Sequence, residues 1–285
     1  MKYRELLKKG NEYMVINNKE ESGALFLLEY ASGKSSPELF MVMNDEIPSD
    51  LENKYFSLLD EHVKKNRPVW YIIGEAPFYG YNFNVSEDVL IPRFETEELV
   101  ENVIMLYDKY FKGEKLDVLD VATGSGCIGI TLSLEEPNMN VTITDISNEA
   151  LNIAKSNAKK FDAHVRILQG DMVEPVKNEK FDIIVSNPPY IPEDEEVMSI
   201  VKDNEPNIAL FGGKDGMKFY KIIMSGAVSM LKDKSILAFE HGFDKKEEMI
   251  KLAKHYYPNA YVMSLKDLEG KDRMTIILNG IKYEE

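Results

Sequence analysis

The chain has 285 residues, of which 44% are hydrophobic and 29% are charged. This balance is that of a folded globular protein and excludes a disordered chain, and at about 150 residues per domain the length predicts two domains. The one cysteine, Cys127, excludes an internal disulfide framework, so we expect a reducing, cytoplasmic setting. The charged start of the chain and the lack of about 18 consecutive apolar residues predict neither a signal peptide nor a membrane span.

The net charge is −15, from 34 basic and 49 acidic residues. A protein that binds nucleic acid through many phosphates usually carries a basic stripe. Acidic residues outnumber basic residues both in residues 1–91 and in residues 92–285. We therefore expect no direct nucleic-acid partner.

Residues 1–73 are predicted to form a small helical domain. Apolar residues with helical spacing cover residues 3–17, 24–31, 37–43 and 51–65. Ser49 and Glu52 have the spacing of a capping box at the start of the last stretch. Around Gly74 the pattern changes to alternation, which predicts a β-hairpin linker over residues 74–92.

Residues 93–285 alternate between strand and helix patterns. Buried strands are predicted at residues 116–122, 141–144, 165–168, 181–186 and 236–239. Amphipathic helices are predicted between most of them, at residues 96–111, 150–160 and 217–231. This alternation predicts the α/β class, with a mostly parallel sheet and helices on both of its faces.

The first predicted strand of this region ends in a glycine-rich segment, residues 120–129. Glycine has no Cβ and tolerates positive φ, so a ligand can approach the backbone closely. Gly124, Gly126 and Gly129 fit the dinucleotide-binding fingerprint, and Asp145 lies about 20 residues further on. This pattern alone fits NAD as well as S-adenosylmethionine, because both carry an adenosine whose ribose hydroxyls can bind a carboxylate.

Two further acidic residues favour the methyl donor. Asp120 precedes the glycines, where its carboxylate could face a ligand with an ammonium and a sulfonium group. Asp171 follows the third strand and could accept a hydrogen bond from the adenine amine, while Met172 packs on the ring. Asp145 or Asp171 alone could be a helix N-cap, but the three acids follow successive strands at the edge where such sheets bind ligands. The scattered histidines predict no metal site.

Asn187-Pro188-Pro189-Tyr190 directly follows the fourth predicted strand. Two prolines could simply end the strand. However, proline has no N–H, so the Asn187 side-chain oxygen and the Pro188 carbonyl could together accept both hydrogens of one planar –NH2 group, with Tyr190 stacked on it. The lone pair of such a nitrogen is delocalised, and two acceptors could direct it at a methyl donor.

The sequence resembles the protein-(glutamine-N5) methyltransferases that modify peptide chain release factors, the HemK/PrmC family. The segments that carry the resemblance are residues 68–74, 78–80, 90–97, 123–128, 187–190, 205–206 and 209–216. The resemblance implies an enzyme of translation termination that uses S-adenosylmethionine to methylate the glutamine of a Gly-Gly-Gln loop. We expect this enzyme to be a cytoplasmic monomer. It also implies a Rossmann-like class I methyltransferase domain over residues 93–285, with a seven-stranded sheet whose last strand, about residues 274–278, is antiparallel, and an N-terminal helical domain that docks the factor.

The resemblance also assigns site residues. Cofactor contacts fall on Ala122, Thr123, Gly124, Ser125, Gly126, Asp145, Met172 and Asn187, and substrate contacts on Asn187, Pro188, Pro189 and Tyr190. Asp120 and Asp171 rest on the argument from charge. The chain departs from the family pattern at Ala122, where glycine is usual, at Met172, where an aromatic is common, and at Phe94 and His241.

Three other functions remain open. An N6-adenine methyltransferase acting on DNA or RNA would need the same –NH2 geometry, but the acidic charge disfavours it. A non-catalytic assembly protein would bind the cofactor without needing Asn187. A dehydrogenase would leave residues 187–190 unexplained.

Overall fold

The structure is a computed structural model that describes residues 1–283, and its chain forms two compact units. The first unit consists of Met1–Glu75 and Met198–Asn204, and the second of Ala76–Val197 and the chain from Glu205 onward. Within residues 1–283, no helix combines the length and apolar character needed to cross a membrane. In chain order the helices and strands are α1 (Tyr3–Ile16), α2 (Ser22–Ser32), α3 (Ser36–Val42), α4 (Leu51–Lys64), α5 (Val69–Ile73), β1 (Glu75–Phe78), β2 (Tyr81–Asn84), α6 (Phe94–Tyr110), β3 (Leu116–Val121), α7 (Cys127–Glu135), β4 (Met139–Asp145), α8 (Asn148–Lys160), β5 (Val165–Gln169), β6 (Phe181–Ser186), α9 (Ser199–Lys202), α10 (Asn207–Leu210), α11 (Lys218–Ala227), β7 (Leu231–Glu240), α12 (Lys246–Tyr256), β8 (Tyr261–Lys266) and β9 (Asp272–Asn279).

The first unit is helical. The apolar faces of α1, α2 and α4 pack around buried side chains that include Leu6, Leu27 and Tyr55. The Tyr55 hydroxyl donates to the Ala24 carbonyl at 2.9 Å, which satisfies a polar group inside this core. Asp50, not Ser49, is the N-cap of α4, and it makes no side-chain capping hydrogen bond, so the predicted capping box at this helix is wrong. The chain forms a capping box instead at α3.

The second unit contains a seven-stranded sheet in the order β5-β4-β3-β6-β7-β9-β8. Neighbouring strands from β5 to β7 are parallel, and β9 is antiparallel to both β7 and β8. The predictions of an α/β fold, a mostly parallel seven-stranded sheet and an antiparallel last strand are thereby confirmed. The chain adds β4 and β5 on one side of β3, then returns to add β6 on the other side. This reversal creates a crevice at the carboxyl ends of β3 and β6.

Alternate residues of the central strands face two separate apolar layers. Val118 of β3 and Ile183 of β6 belong to one buried cluster, which includes residues of α6, α7 and α8. Leu119 and Ile184, the next residues along these strands, belong to a second cluster with residues of α11 and α12. Burial on both faces explains why these strands read as continuous apolar runs in the sequence.

Candidate active site

A cavity of about 270 Å³ lies at the carboxyl ends of β3, β4 and β6. All residues that line it belong to the second unit. Its volume is close to the lower end of the range of ligand pockets, about 300–1,000 Å³. Of the predicted site residues, those that line the cavity are Ala122, Thr123, Gly124, Ser125, Asp145, Asp171, Met172, Asn187 and Pro189. Those outside its lining are Asp120, Gly126, Pro188 and Tyr190.

The glycine-rich segment turns sharply from β3 into α7. Ala122 has φ 58° and Gly126, the N-cap of α7, has φ 84°. Gly126 needs the dihedral freedom of glycine, and a Cβ there would lie 2.6 Å from the Ile130 Cδ1 atom, so that side chain would have to shift. A left-handed conformation costs an L-residue about 1–2 kcal/mol, which Ala122 bears. The loop therefore keeps its backbone at the cavity wall at some cost in strain.

Asp120 is fully buried and supports the glycine-rich segment from behind. Its Oδ2 atom accepts hydrogen bonds from the Thr123 hydroxyl and from the Gly129 N–H, while its Oδ1 atom has no hydrogen-bond partner. Burial raises the pKa of this carboxyl to about 7. The predicted direct contact between Asp120 and a cationic ligand is therefore not what this geometry favours, because the side chain points into the loop and not into the cavity.

Asp145 presents a carboxylate to the cavity from the end of β4. Its Oδ2 atom accepts from the Gly124 N–H and its Oδ1 atom from the Ser147 N–H, both at 2.9 Å. These bonds fix the carboxylate in place and leave each oxygen a further lone pair for a ligand. Burial raises the pKa of this group, and backbone hydrogen bonds from Ser147, Gly124 and Ile146 oppose that shift.

Asp171 and Met172 form the neighbouring part of the wall, after β5. Met172 is buried, has φ 46°, and its carbonyl accepts from the Thr144 hydroxyl at 3.1 Å. Asp171 is exposed. The two residues thus offer an apolar surface and an acceptor side by side, as the interpretation of an adenine site requires.

The Asn-Pro-Pro-Tyr segment places Asn187 and Pro189 at the cavity. The Asn187 Nδ2 atom donates to the Thr96 hydroxyl oxygen at 3.1 Å. Pro188 is buried and Tyr190 is half-buried, and Tyr190 packs against the second apolar cluster. Burial raises the pKa of the Tyr190 hydroxyl well above its ordinary value, so this phenol stays neutral.

Two functional features escaped sequence reasoning. Thr96 and Glu240 are almost fully buried behind Asn187, and the Thr96 hydroxyl donates to the Glu240 Oε2 atom at 2.6 Å. Glu205 accepts from Arg93 at 2.5 Å and from the Ile91 N–H at 3.2 Å, which fixes part of the cavity wall. Glu240 ends β7 at the same edge as Asp145 ends β4, so the rule of an acid at a strand end could have found it.

Two sequence families match the chain. Residues 5–74 match the PrmC N-terminal domain and residues 99–204 the Methyltransferase small domain. The release factor glutamine methyltransferase of Bacillus subtilis is 42% identical over 274 residues, which are 94% of this chain and 95% of that protein. The release factor glutamine methyltransferase of Bacillus anthracis is 39% identical over 278 residues, which are 96% of this chain and 98% of that protein. The chain belongs to the release factor glutamine methyltransferase family.

Membership of this family makes the chain an S-adenosylmethionine-dependent methyltransferase and confirms the predicted family, enzyme class and cofactor. Among solved structures, a methyltransferase from Pyrococcus furiosus matches with a TM-score of 0.52 and 21% identity, covering 71% of this chain and 91% of that one. The human Mettl16 catalytic domain in complex with an RNA hairpin matches with a TM-score of 0.56 and 12% identity, covering 90% and 93%. These two likenesses concern the fold alone.

The cavity fits this methyl donor. The positive φ of Ala122 and Gly124 exposes backbone at the wall, and Asp145 has acceptor lone pairs free beside it. Asp145 and Asp171 make this part of the site electronegative, which suits a ligand with a sulfonium and an ammonium group.

Proposed function

We propose that the protein methylates the side-chain amide nitrogen, N5, of the glutamine in the Gly-Gly-Gln loop of peptide chain release factors. Its curated relatives at 39% and 42% identity carry the name release factor glutamine methyltransferase. The single observation that carries the choice of an amide acceptor is the orientation of Asn187. Its –NH2 group is bound by Thr96, so its oxygen is the end available to a ligand in the cavity.

An amide nitrogen is a poor nucleophile because its lone pair is delocalised into the carbonyl. The Asn187 Oδ1 atom would accept one hydrogen of the glutamine –NH2 group and hold the nitrogen in line with the methyl donor. The predicted acceptor role of the Pro188 carbonyl and the stacking of Tyr190 stay predictions, because neither residue lines the cavity in this structure. Pro189 lines it.

The cofactor residues follow from the wall described above. Asp145 would accept from the ribose hydroxyls and Asp171 from the adenine amine, with Met172 against the ring and the backbone of residues 122–126 beside the amino-acid portion. When bound, S-adenosylmethionine supplies a methyl group on a positively charged sulfur. In the transfer a nitrogen–carbon bond forms, the carbon–sulfur bond breaks, and the nitrogen loses a proton to water.

We further propose that residues 1–73 dock the release factor, that residues 74–92 are a linker, and that residues 93–285 carry the chemistry. The match of residues 5–74 to the PrmC N-terminal domain supports the first part. The acidic charge of −15 supports the absence of a direct nucleic-acid contact. A cytoplasmic monomer is the state that we propose for the active enzyme.

Methyl transfer from labelled S-adenosylmethionine to a purified release factor tests this function. We expect label on the wild-type factor and none on a factor whose Gly-Gly-Gln glutamine is replaced by alanine. Asn187→Ala should reduce kcat by about 100-fold or more, the loss typical of a group that orients or stabilises the reacting atoms. Calorimetric titration should show that this variant still binds S-adenosylmethionine.

Asn138→Ala is the matched control, because Asn138 is exposed, lies outside the cavity lining and donates from its amide to the Gly113 carbonyl. It should transfer methyl groups at the wild-type rate. Labelling of an oligonucleotide in place of the factor would contradict the protein substrate. Binding of the cofactor without transfer to either would indicate a non-catalytic module.

A further inference from the structure

We infer that Thr96 and Glu240 are positioning residues that hold the Asn187 amide with its oxygen towards the acceptor. The inference rests on the proposed function, because it explains how the acceptor amide would be oriented. It starts from a hydrogen-bonded chain of three side chains on three elements: Asn187 after β6, Thr96 in the first turn of α6, and Glu240 at the end of β7.

The geometry of this chain is continuous. The Asn187 Nδ2 atom lies 3.1 Å from the Thr96 Oγ1 atom, which lies 2.6 Å from the Glu240 Oε2 atom. Thr96 and Glu240 are 2% exposed and Asn187 is half-buried; Thr96 and Asn187 line the cavity, whereas Glu240 lies outside its lining. The series of hydrogen bonds therefore runs from Glu240 in the protein interior to Asn187 at the reaction site.

The chemistry of the three groups gives this chain one direction. An ionised carboxylate can only accept hydrogen bonds, so the single proton of the Thr96 hydroxyl is donated to Glu240. The hydroxyl oxygen then has only lone pairs to offer Asn187. The amide must present its –NH2 group to Thr96, and its Oδ1 atom is left for the cavity.

A flipped amide would be penalised at both ends. The Oδ1 atom would face the lone pairs of Thr96, and the –NH2 group of Asn187 would face the –NH2 group of the substrate glutamine. Without the carboxylate, the hydroxyl could rotate and donate to Oδ1, and the flipped amide would become acceptable. The Asn187 amide donates to Thr96, and it also interacts with the Glu240 carboxylate, whose pKa it lowers. Glu240 thus controls, directly and through Thr96, which end of the amide meets the substrate.

Thr96→Val tests this directly, because valine keeps the shape of threonine and removes the hydroxyl. We expect kcat for methylation of the release factor to fall about tenfold or more, while the Kd for S-adenosylmethionine changes less than about twofold. Thr96→Ser keeps the hydroxyl and should restore kcat to within about threefold of wild type. A purely structural role would not separate kcat from cofactor binding or give rescue by serine.

A double-mutant cycle separates positioning from independent catalysis. If Thr96 acts through Asn187, Thr96→Val should reduce the residual rate of Asn187→Ala by less than about twofold. An equal loss in both backgrounds would overturn the inference, and so would a wild-type kcat in Thr96→Val.

Glu240→Gln is the second variant if valine at position 96 prevents folding. Glutamine keeps the volume of the side chain but can both donate and accept hydrogen bonds. The Thr96 hydroxyl is then no longer forced to donate to position 240, and kcat should fall by about three- to tenfold. Wild-type kcat in this variant would overturn the role of Glu240. Failure of the wild-type enzyme to methylate any release factor would instead refute the proposed function, so the two failures are distinguishable.

Discussion

Asp120 lies next to the glycine-rich segment as the sequence indicates, and its observed contacts are with that segment. Its position before the glycines suggested a carboxylate facing a cation, but its Oδ2 atom binds Thr123 and Gly129 and the side chain lies behind the loop. A sequence shows that an acid lies near a strand end. It does not show whether the side chain points to the ligand or to the backbone of its own loop.

Asp120→Asn distinguishes these two roles. The asparagine oxygen can accept the same two hydrogen bonds without a charge, so a loop-supporting role predicts a Kd for S-adenosylmethionine within about threefold of wild type. Asp120→Ala, which leaves both donors unpaired, should weaken binding further. Calorimetric titration of the three proteins gives the Kd values. A loss of affinity of about tenfold or more in Asp120→Asn would support a direct charge interaction with the ligand.

Glu240 gives the enzyme an expected pH dependence near neutrality. Burial raises the pKa of its carboxyl from the ordinary 4.5 to about 7. The charged and titratable groups around it are Arg273, which lowers its pKa, Glu95, which raises it, and Tyr190, Tyr220 and Cys127. Only the ionised form fixes the direction of the Thr96 hydroxyl, so kcat should decrease as the pH falls through about 7.

Ionisation of Glu240 should raise kcat but lower the free energy of unfolding. A folded-state pKa above the unfolded value means that the folded protein holds this proton more tightly, so its contribution to the free energy of unfolding is largest at low pH and decreases as the pH rises from about 4.5 to about 7. Asp120, whose pKa is also raised to about 7, titrates in the same range. Comparison of wild type with Glu240→Gln, by kcat and by urea unfolding across this range, isolates Glu240, and identical pH profiles in the two proteins would contradict the assignment.

At the scale of elements, the Asn-Pro-Pro-Tyr segment is held by the loop that follows α10. Gly212 N–H donates to the Ile191 carbonyl at 2.8 Å, and Ile191 N–H donates to the Leu210 carbonyl at 3.0 Å. The backbones approach so closely that a Cβ on Gly216 would overlap the Tyr190 carbonyl oxygen. The glycines of this loop therefore allow its backbone to approach the Asn-Pro-Pro-Tyr segment closely.

Gly216→Ala should destabilise the protein and reduce methyl transfer. Gly216 has φ 71°, so the variant combines the cost of a left-handed alanine with a clash against backbone, about 2 kcal/mol or more in total. Gly270→Ala is the matched control, because Gly270 has φ 81° but nothing within 4 Å of a Cβ, and it should cost only about 1 kcal/mol. Urea unfolding measures both, and equal losses in the two variants would show that the close approach has no consequence.

The elements also show where sequence patterns are informative. The central strands were predictable because burial on both faces makes them continuous apolar runs, as in β6. Strand β8 was not predicted, because Ser264 interrupts its apolar residues and leaves a run of only three. The cavity loops were predictable from Gly124 and Asp145, whereas Thr96 and Glu240 meet only through tertiary packing of α6 against β7.

For the whole molecule, the fold leaves the class of acceptor open and the charge helps to decide it. An exocyclic amine of adenine would need the same –NH2 geometry as the amide of glutamine. This chain has 49 acidic and 34 basic residues. A fold that serves several acceptors leaves the surface charge and the site to select among them.

We therefore expect no measurable affinity for RNA or DNA. Binding through phosphates is strongest at low salt and falls steeply with salt concentration, so fluorescence anisotropy with a labelled RNA hairpin and a labelled duplex at about 50 mM salt is the most demanding condition. A net charge of −15 should repel both probes there. Salt-dependent binding with a Kd near or below about 1 μM would reveal a local basic surface that outweighs the net charge. Methylation of the bound probe would show that Asn187 orients an adenine amine and not a glutamine amide.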